Sequence, residues 1–261
     1  MIAAGLDMYL SFYDAPLATL EQIARVHPAE YIRSIGDSAP ESGVVHLDPD
    51  TAMSPGTWPA ALRSAGAGIL ATDLVMAGEA ENAFCSIRPP GHHAERARAM
   101  GFCFFNNIAI AAAHALEAHG LARVAVADFD VHHGNGTENI FANDPRVLMV
   151  STFQHPFYPY SGTEHPAANM CNVPVKAGMR GEGFREVVTD VWLPRLREFA
   201  PELFIILGPG TTLGGAVAQA LILADWKGMG DKATFQQQQG QTPLLAAMGN
   251  LEQRPWVTTN P

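Results

Sequence analysis

Two short stretches of this chain gather the side chains that bind cations and move protons. The first runs Val126-Ala127-Asp128-Phe129-Asp130-Val131-His132-His133-Gly134-Asn135-Gly136, an apolar segment leading into acids, histidines and glycines. Asp130 and His132 stand two apart, so on an extended chain both side chains leave on one face and can converge on a single cation. A carboxylate oxygen and an imidazole nitrogen at roughly 2.0–2.2 Å suit zinc, with a position left for water. A polar strand end with hydrogen-bonded histidines would explain any one of these residues, but it explains less well five of them within eight positions. The second stretch is Arg88-Pro89-Pro90-Gly91-His92-His93-Ala94, directly after the apolar run Ala83 to Ile87. Histidine titrates near neutrality, so a pair can divide general base and general acid work. Alone, such a pair in a loop is more often solvated surface. Asp128 and Asn135 change its meaning, because they are the kind of partner that fixes the tautomer and orientation of an imidazole.

The elements that must position these residues alternate between short apolar runs and helical stretches, as in βαβ units with a mostly parallel sheet. Expected strands are Ala83 to Ile87, Val124 to Asp128, Val147 to Thr152 and Leu203 to Leu207. In such sheets ligands bind beyond the carboxyl ends of the strands, which is where both chemical stretches fall. Asn106 to His119 is apolar at Ile108, Ala109, Ile110, Ala112, Ala113, Ala115 and Leu116 and ends before Gly120, so it reads as a buried helix with a glycine stop. A second helix is expected over 183–199, apolar at Phe184, Val187, Val188, Val191 and Leu196 and kinked or split by Pro194. Residues 36–58, rich in Pro, Ser, Gly and Asp, read as a surface loop.

The chain of 261 residues is of a size for one α/β domain, and with 48% apolar and 16% charged residues it has the composition of a soluble globular protein. A net charge of −10 disfavours a nucleic-acid partner and suits a neutral or cationic substrate. No apolar run approaches the length of a membrane span, and the first residues lack a secretory pattern, so the expected setting is the cytoplasm. Cys85, Cys103 and Cys171 form no Cys-x-x-Cys pair and read as reduced core thiols.

Three motifs in order, Arg-Pro-Pro-Gly-His-His-Ala at 88–94, Gly-Phe-Cys-Phe-Phe-Asn-Asn at 101–107 and Asp-Phe-Asp-Val-His-His-Gly-Asn-Gly at 128–136, closely resemble zinc-dependent deacetylases of the histone deacetylase and acetylpolyamine amidohydrolase family. Asparagine at 135 is similar to the class II and bacterial branch. The resemblance covers about residues 15–207 and implies an α/β, three-layer arginase/deacetylase-type fold. It implies Asp130 and His132 as zinc ligands and His92 and His93 as the catalytic pair, with Asp128 orienting His92 and Asn135 contacting His93. Phe102 and Tyr158 resemble the aromatic walls of an acyl-lysine channel. Ser151, with Asp128, Asp130 and His132, resembles a structural monovalent-cation site, filled by potassium in this reading. The implied reaction is metal-assisted hydrolysis of the amide in acetyl-lysine or an acetylated polyamine.

The likeness stops near Leu207. Where the family places an aspartate ligand in a Ser-Ala-Gly-Phe-Asp type turn, this chain has Leu207-Gly208-Pro209-Gly210-Thr211-Thr212, and the last tyrosine of the sequence is Tyr160, so a later catalytic tyrosine is absent. The family's first strand and His-Pro-Glu loop also lack counterparts at the front. This reading divides the chain into a partial catalytic domain, 1–207, incomplete at its C-terminal side, and an atypical, poorly packing tail, 208–261. A reading-frame change near codon 207 would account for that tail, and a diverged tail is the alternative. Two competing functions follow: an arginase-like binuclear ureohydrolase, which would require further Asp-x-Asp and Asp-x-His sets, and a degenerate, non-catalytic domain.

Overall fold

A computed structural model of the chain describes residues 10–208 and the strand backbone at 246–249. Four parallel strands form the larger sheet: β5 (Val124–Asp128), β6 (Val147–Gln154), β7 (Met170–Val175) and β8 (Leu203–Leu207), in the order β7-β6-β5-β8. β5 is buried along its whole length, as its run Val-Ala-Val-Ala requires of an inner strand covered on both faces. Its alternate residues face different layers. Val124 and Val126 join Val147 and Met149 in the larger core beneath the N-terminal helices, whereas Ala125 and Ala127 join Leu148, Val150 and Trp192 on the opposite side. These are the three layers.

The first helical layer consists of α1 (Leu20–Ile23), α2 (Ala29–Asp37), α3 (Thr57–Met76) and α4 (Asn107–Glu117). Asn106 caps α4 by accepting a 3.0 Å hydrogen bond from the Ala109 N–H, and Gly120 follows its end at φ +69°, as the expected glycine stop requires. Ten of its eleven residues are buried, so α4 lies inside the molecule rather than on it. α5 (Asn135–Phe141) starts directly after the site loop.

On the other face, α6 (Gly181–Val187) and α7 (Leu193–Phe199) are joined by a π-helical turn at Val188–Trp192. Pro194 sits in the first turn of α7, where its missing N–H costs nothing, and the extra residue of the π turn absorbs the break. The residues expected to form one apolar side, Phe184, Val187, Val188, Val191 and Leu196, all pack onto this second core.

Several elements differ from expectation. The long α3 was not anticipated, because its Ala- and Gly-rich sequence is apolar nearly all round and so shows no one-sided periodicity. Within 36–58, β2 (Val45–His46) and β3 (Ala52–Met53) form a short antiparallel ladder. β1 (Ser11–Asp14) and β4 (Ala83–Cys85) flank β9 (Ala246–Gly249) in a separate three-stranded parallel sheet. The expectation of a poorly packing tail, with its proposed reading-frame change, falls largely outside the described residues. The part that is described, β9, pairs with β1 and β4.

Candidate active site

The loops after β4 and β5 meet at the carboxyl ends of their strands. His92 and His93 are buried, with ring centroids 4.0 Å apart. His92 Nδ1 lies 2.9 Å from Asp128 Oδ2, and His93 Nδ1 lies 2.8 Å from Asn135 Oδ1. The direction of the second bond is fixed by a chain of partners. Glu95 accepts from the Asn135 amide nitrogen at 2.8 Å, so Asn135 turns its carbonyl oxygen to His93. That oxygen only accepts, hence His93 Nδ1 donates and Nε2 keeps its lone pair for the cleft.

The two imidazoles are driven apart electrostatically. Burial opposes a charge on His92, yet the Asp128 carboxylate, with Asp130 behind it, outweighs burial and raises its pKa above the usual histidine value. For His93, burial and the neighbouring His92 lower the pKa to about 3, so it stays a neutral base at physiological pH.

Asp130 and His132 sit just beyond β5, with Asp130 Oδ1 2.9 Å from His132 Nδ1. Their main chain is pinned too: the Asp130 N–H donates to Asp128 Oδ1 at 3.0 Å and the His132 N–H donates to Asp130 Oδ1 at 2.9 Å. The His132 ring is 5.8 Å from that of His93, so the candidate ligand pair and the candidate catalytic pair share one cleft. As a test of fit to zinc, a carboxylate oxygen and an imidazole nitrogen within 3 Å of each other can share one ion, and they account for two corners of a tetrahedral site. A third donor converging on them is absent among the described residues.

Tyr158 presents its ring edge to His93, with centroids 5.1 Å apart and planes at 85°, and it lies 6.0 Å from His132. Burial, followed by the carboxylates of Asp50 and Asp48, pushes its hydroxyl up to about 12. Phe102, at φ +65°, is 58% exposed at the rim. Gly101 before it has φ +57°, and a Cβ there would run into the His93 ring, so only glycine lets this turn close on the site.

Two contributors escaped the sequence reading, and a third, His133, was seen there only as part of the motif. Phe157 stacks on His132 at 5.1 Å and 15°. Asp50, within the stretch read as a surface loop, accepts from the Gly101 N–H at 3.2 Å and so ties that loop to the rim. His133 is fully buried, pairs through Nε2 with Glu138 at 2.6 Å and packs on Phe153. The Asp-rich composition of 48–50 was the available signal for Asp50. Ser151, the register partner of Asp128 on β6, has a buried hydroxyl without a protein hydrogen-bond partner.

The profile of the histone deacetylase domain matches residues 2–211. The chain is 40% identical over 210 residues to the histone deacetylase-like amidohydrolase of Pseudomonas aeruginosa, covering 78% of this chain and 55% of that protein. It is 40% identical over 199 residues to a probable deacetylase of Archaeoglobus fulgidus (74% and 54%) and 35% identical over 223 residues to the human polyamine deacetylase HDAC10 (77% and 33%). It thus spans about half the length, or less, of these relatives. The solved HDA15 HD domain superposes with a TM-score of 0.72 at 27% identity, covering 91% of this chain and 70% of that one. A matched domain that spans most of the chain and includes both histidine motifs, on a fold shared with the solved HDA15 HD domain, makes this chain a member of the histone deacetylase family.

Proposed function

We propose that this site serves amide hydrolysis of an acetylated amine, either acetyl-lysine or an acetylated polyamine, with Zn2+ held by Asp130 and His132. The observation that carries the reading is the pair of orienting bonds, His92 to Asp128 and His93 to Asn135, beside the candidate ligands. Zinc, when bound, polarises the acyl carbonyl and makes water more acidic. His93, neutral and with Nε2 free, accepts the proton of the attacking water. His92, held towards its cationic form by Asp128, stabilises the charge that develops and supplies a proton towards the leaving amine. Phe102 and Tyr158 flank the acyl chain. Asp50 and Asp48 near Tyr158, in a chain of net charge −10, favour a cationic amine. The unpartnered Ser151 hydroxyl beside Asp128 supports a monovalent cation such as K+ binding there. Free cysteines agree with a reducing, cytoplasmic setting.

The sequence after β8 lacks the aspartate turn and the tyrosine expected from the resemblance. Three protein ligands are usual for catalytic zinc, and loss of one oxyanion donor costs on the order of 10²–10³ in rate. The chain as written therefore holds zinc weakly and turns over slowly. Metal analysis combined with a fluorogenic acetyl-lysine assay tests this: restoring an aspartate- and tyrosine-bearing segment after Leu207 recovers zinc-dependent hydrolysis, and His93→Ala abolishes it again. Tight binding of zinc and ordinary turnover by the unaltered chain would overturn the impairment. A restored chain that binds zinc but never hydrolyses acetyl-lysine or acetylpolyamine would overturn the assigned reaction.

A further inference from the structure

At the end of α4 remote from the active site, three side chains from two separate segments converge. His114 Nε2 lies 2.6 Å from Asp73 Oδ1, and His119 Nε2 lies 2.7 Å from that same oxygen. Asp73 comes from the last turn of α3, His114 from the last turn of α4 and His119 from just beyond that helix. The donor atoms all lie within 4.8 Å of one another, and this is the one such three-residue set among the described residues. The active site is elsewhere: Asn107, at the other end of α4, bonds the Pro89 carbonyl before the His92-His93 loop, and seven residues of helix separate it from His114 by about 10 Å along the axis.

Helical periodicity does not explain this convergence. Positions five apart in a helix point about 140° away from each other, so His114 and His119 would diverge if α4 continued. The helix instead ends at Ala118, and the ring of His119, the next residue, meets that of His114 at 5.3 Å and 79°. Both rings turn a nitrogen to the same carboxylate oxygen, so a cation entering between them would meet three donor atoms at once. His114 is almost wholly buried, His119 partly, and Asp73 is 46% exposed, which leaves an open side for water.

We propose that Asp73, His114 and His119 form a second metal site, for a divalent transition cation of the zinc class, which staples the end of α3 to the end of α4. Two imidazoles and one carboxylate, with a position for water, suit zinc, whereas magnesium and calcium want oxygen ligands. The same geometry contains a built-in competitor. Arg25 Nη1 donates to His114 Nδ1 at 2.8 Å, and a guanidinium never accepts, so in the metal-free protein the ring proton sits on Nε2 and points at Asp73. Metal binding moves that proton to Nδ1. Arg25 then gives up this bond and stays with Glu117, whose Oε2 already lies 3.3 Å from its Nε. The cation and Arg25 are alternatives, which predicts opposite effects for two substitutions.

The full chain carrying Asp130→Asn and His132→Ala, which removes the candidate catalytic ligands, is titrated with Zn2+ against a chromophoric chelator, and with Co2+ followed by its visible absorption. One equivalent is expected. His119→Ala, outside the helix and partly exposed, should weaken binding by more than about tenfold, the scale on which even a ligand's hydrogen-bond partner matters. Arg25→Met should tighten binding, and the two changes move the affinity in opposite directions on an unchanged fold. The same His119→Ala change in the otherwise unaltered chain should lower zinc stoichiometry by one, which covers the event that the double variant misfolds. Equal zinc affinity with and without His119, or tighter binding absent on Arg25→Met, overturns the proposal. Because the readout is metal binding at residues outside the candidate active site, these results are independent of any deacetylase assay.

Discussion

Buried His27 ties the N-terminal helices to the catalytic loop, and its chemistry predicts how stability depends on pH. Its Nδ1 donates to the Arg96 carbonyl at 2.9 Å and its Nε2 accepts from the Asn106 N–H at 3.0 Å, with the ring packed beside those of Tyr31 and Phe105. Both ring nitrogens are thus satisfied only in the neutral form, since protonation would set an N–H against the Asn106 N–H. Burial, together with the Arg96 charge, lowers its pKa from the ordinary 6.5 to about 4 despite the backbone acceptors. The unfolded chain therefore takes up a proton below 6.5 that the folded chain refuses until about 4. The stabilisation is complete above 6.5 and drains away as pH falls, at about 1.4 kcal/mol per unit. From pH 7 to pH 5 the loss is about 2 kcal/mol, from the 1.5 units between 6.5 and 5. Glutamine can reproduce one donor and one acceptor at this spacing without titrating. Urea unfolding of the full chain at both pH values should show His27→Gln escaping this loss, whatever its stability at pH 7. The carboxylates held below their usual range, Asp130, Glu138, Asp144 and Asp73, lose their contributions at lower pH and in both proteins alike. An equal loss between pH 7 and 5 in the two proteins would refute the reasoning.

Other substitutions probe the frame around the site. Gly101→Ala, at positive φ and against His93, should cost at least about 1–2 kcal/mol and shift the His93 ring resonances, and a variant with unchanged Tm and spectrum would contradict the packing described. Glu138→Ala strands the His133 Nε2 in the interior and should cost roughly 1–3 kcal/mol by denaturant unfolding, with Glu138→Gln recovering part of it. Trp192→Ala empties the second core beneath β5 and β6 and should cost about 3–5 kcal/mol, read as a lower urea midpoint with little change in slope.

Local chemistry made much of this protein legible in its sequence. The strand Val124–Asp128, the helix capped by Asn106 and stopped by Gly120, and the break at Pro194 follow from short-range sterics and hydrogen bonding, which a few adjacent residues fully specify. The spacing of Asp130 and His132 and the doublet of His92 and His93 likewise marked out candidate metal-ligating and proton-transfer residues, which the fold brings into one cleft. Other features depended on residues far apart in the chain. α3 escaped detection because a helix apolar nearly all round has no polar face to mark it, and Asp50 looked like loop solvation until the loop closed on Gly101. The opposite pKa directions of His92 and His93 also have no sequence signature, because they come from burial plus the placement of Asp128 against one ring and of Asn135 and His92 against the other. Residue types and spacing determined which chemistry is available, while tertiary structure decided which groups lose their water and face a charge, since desolvation and Coulomb energy depend on distance in space rather than on distance along the chain.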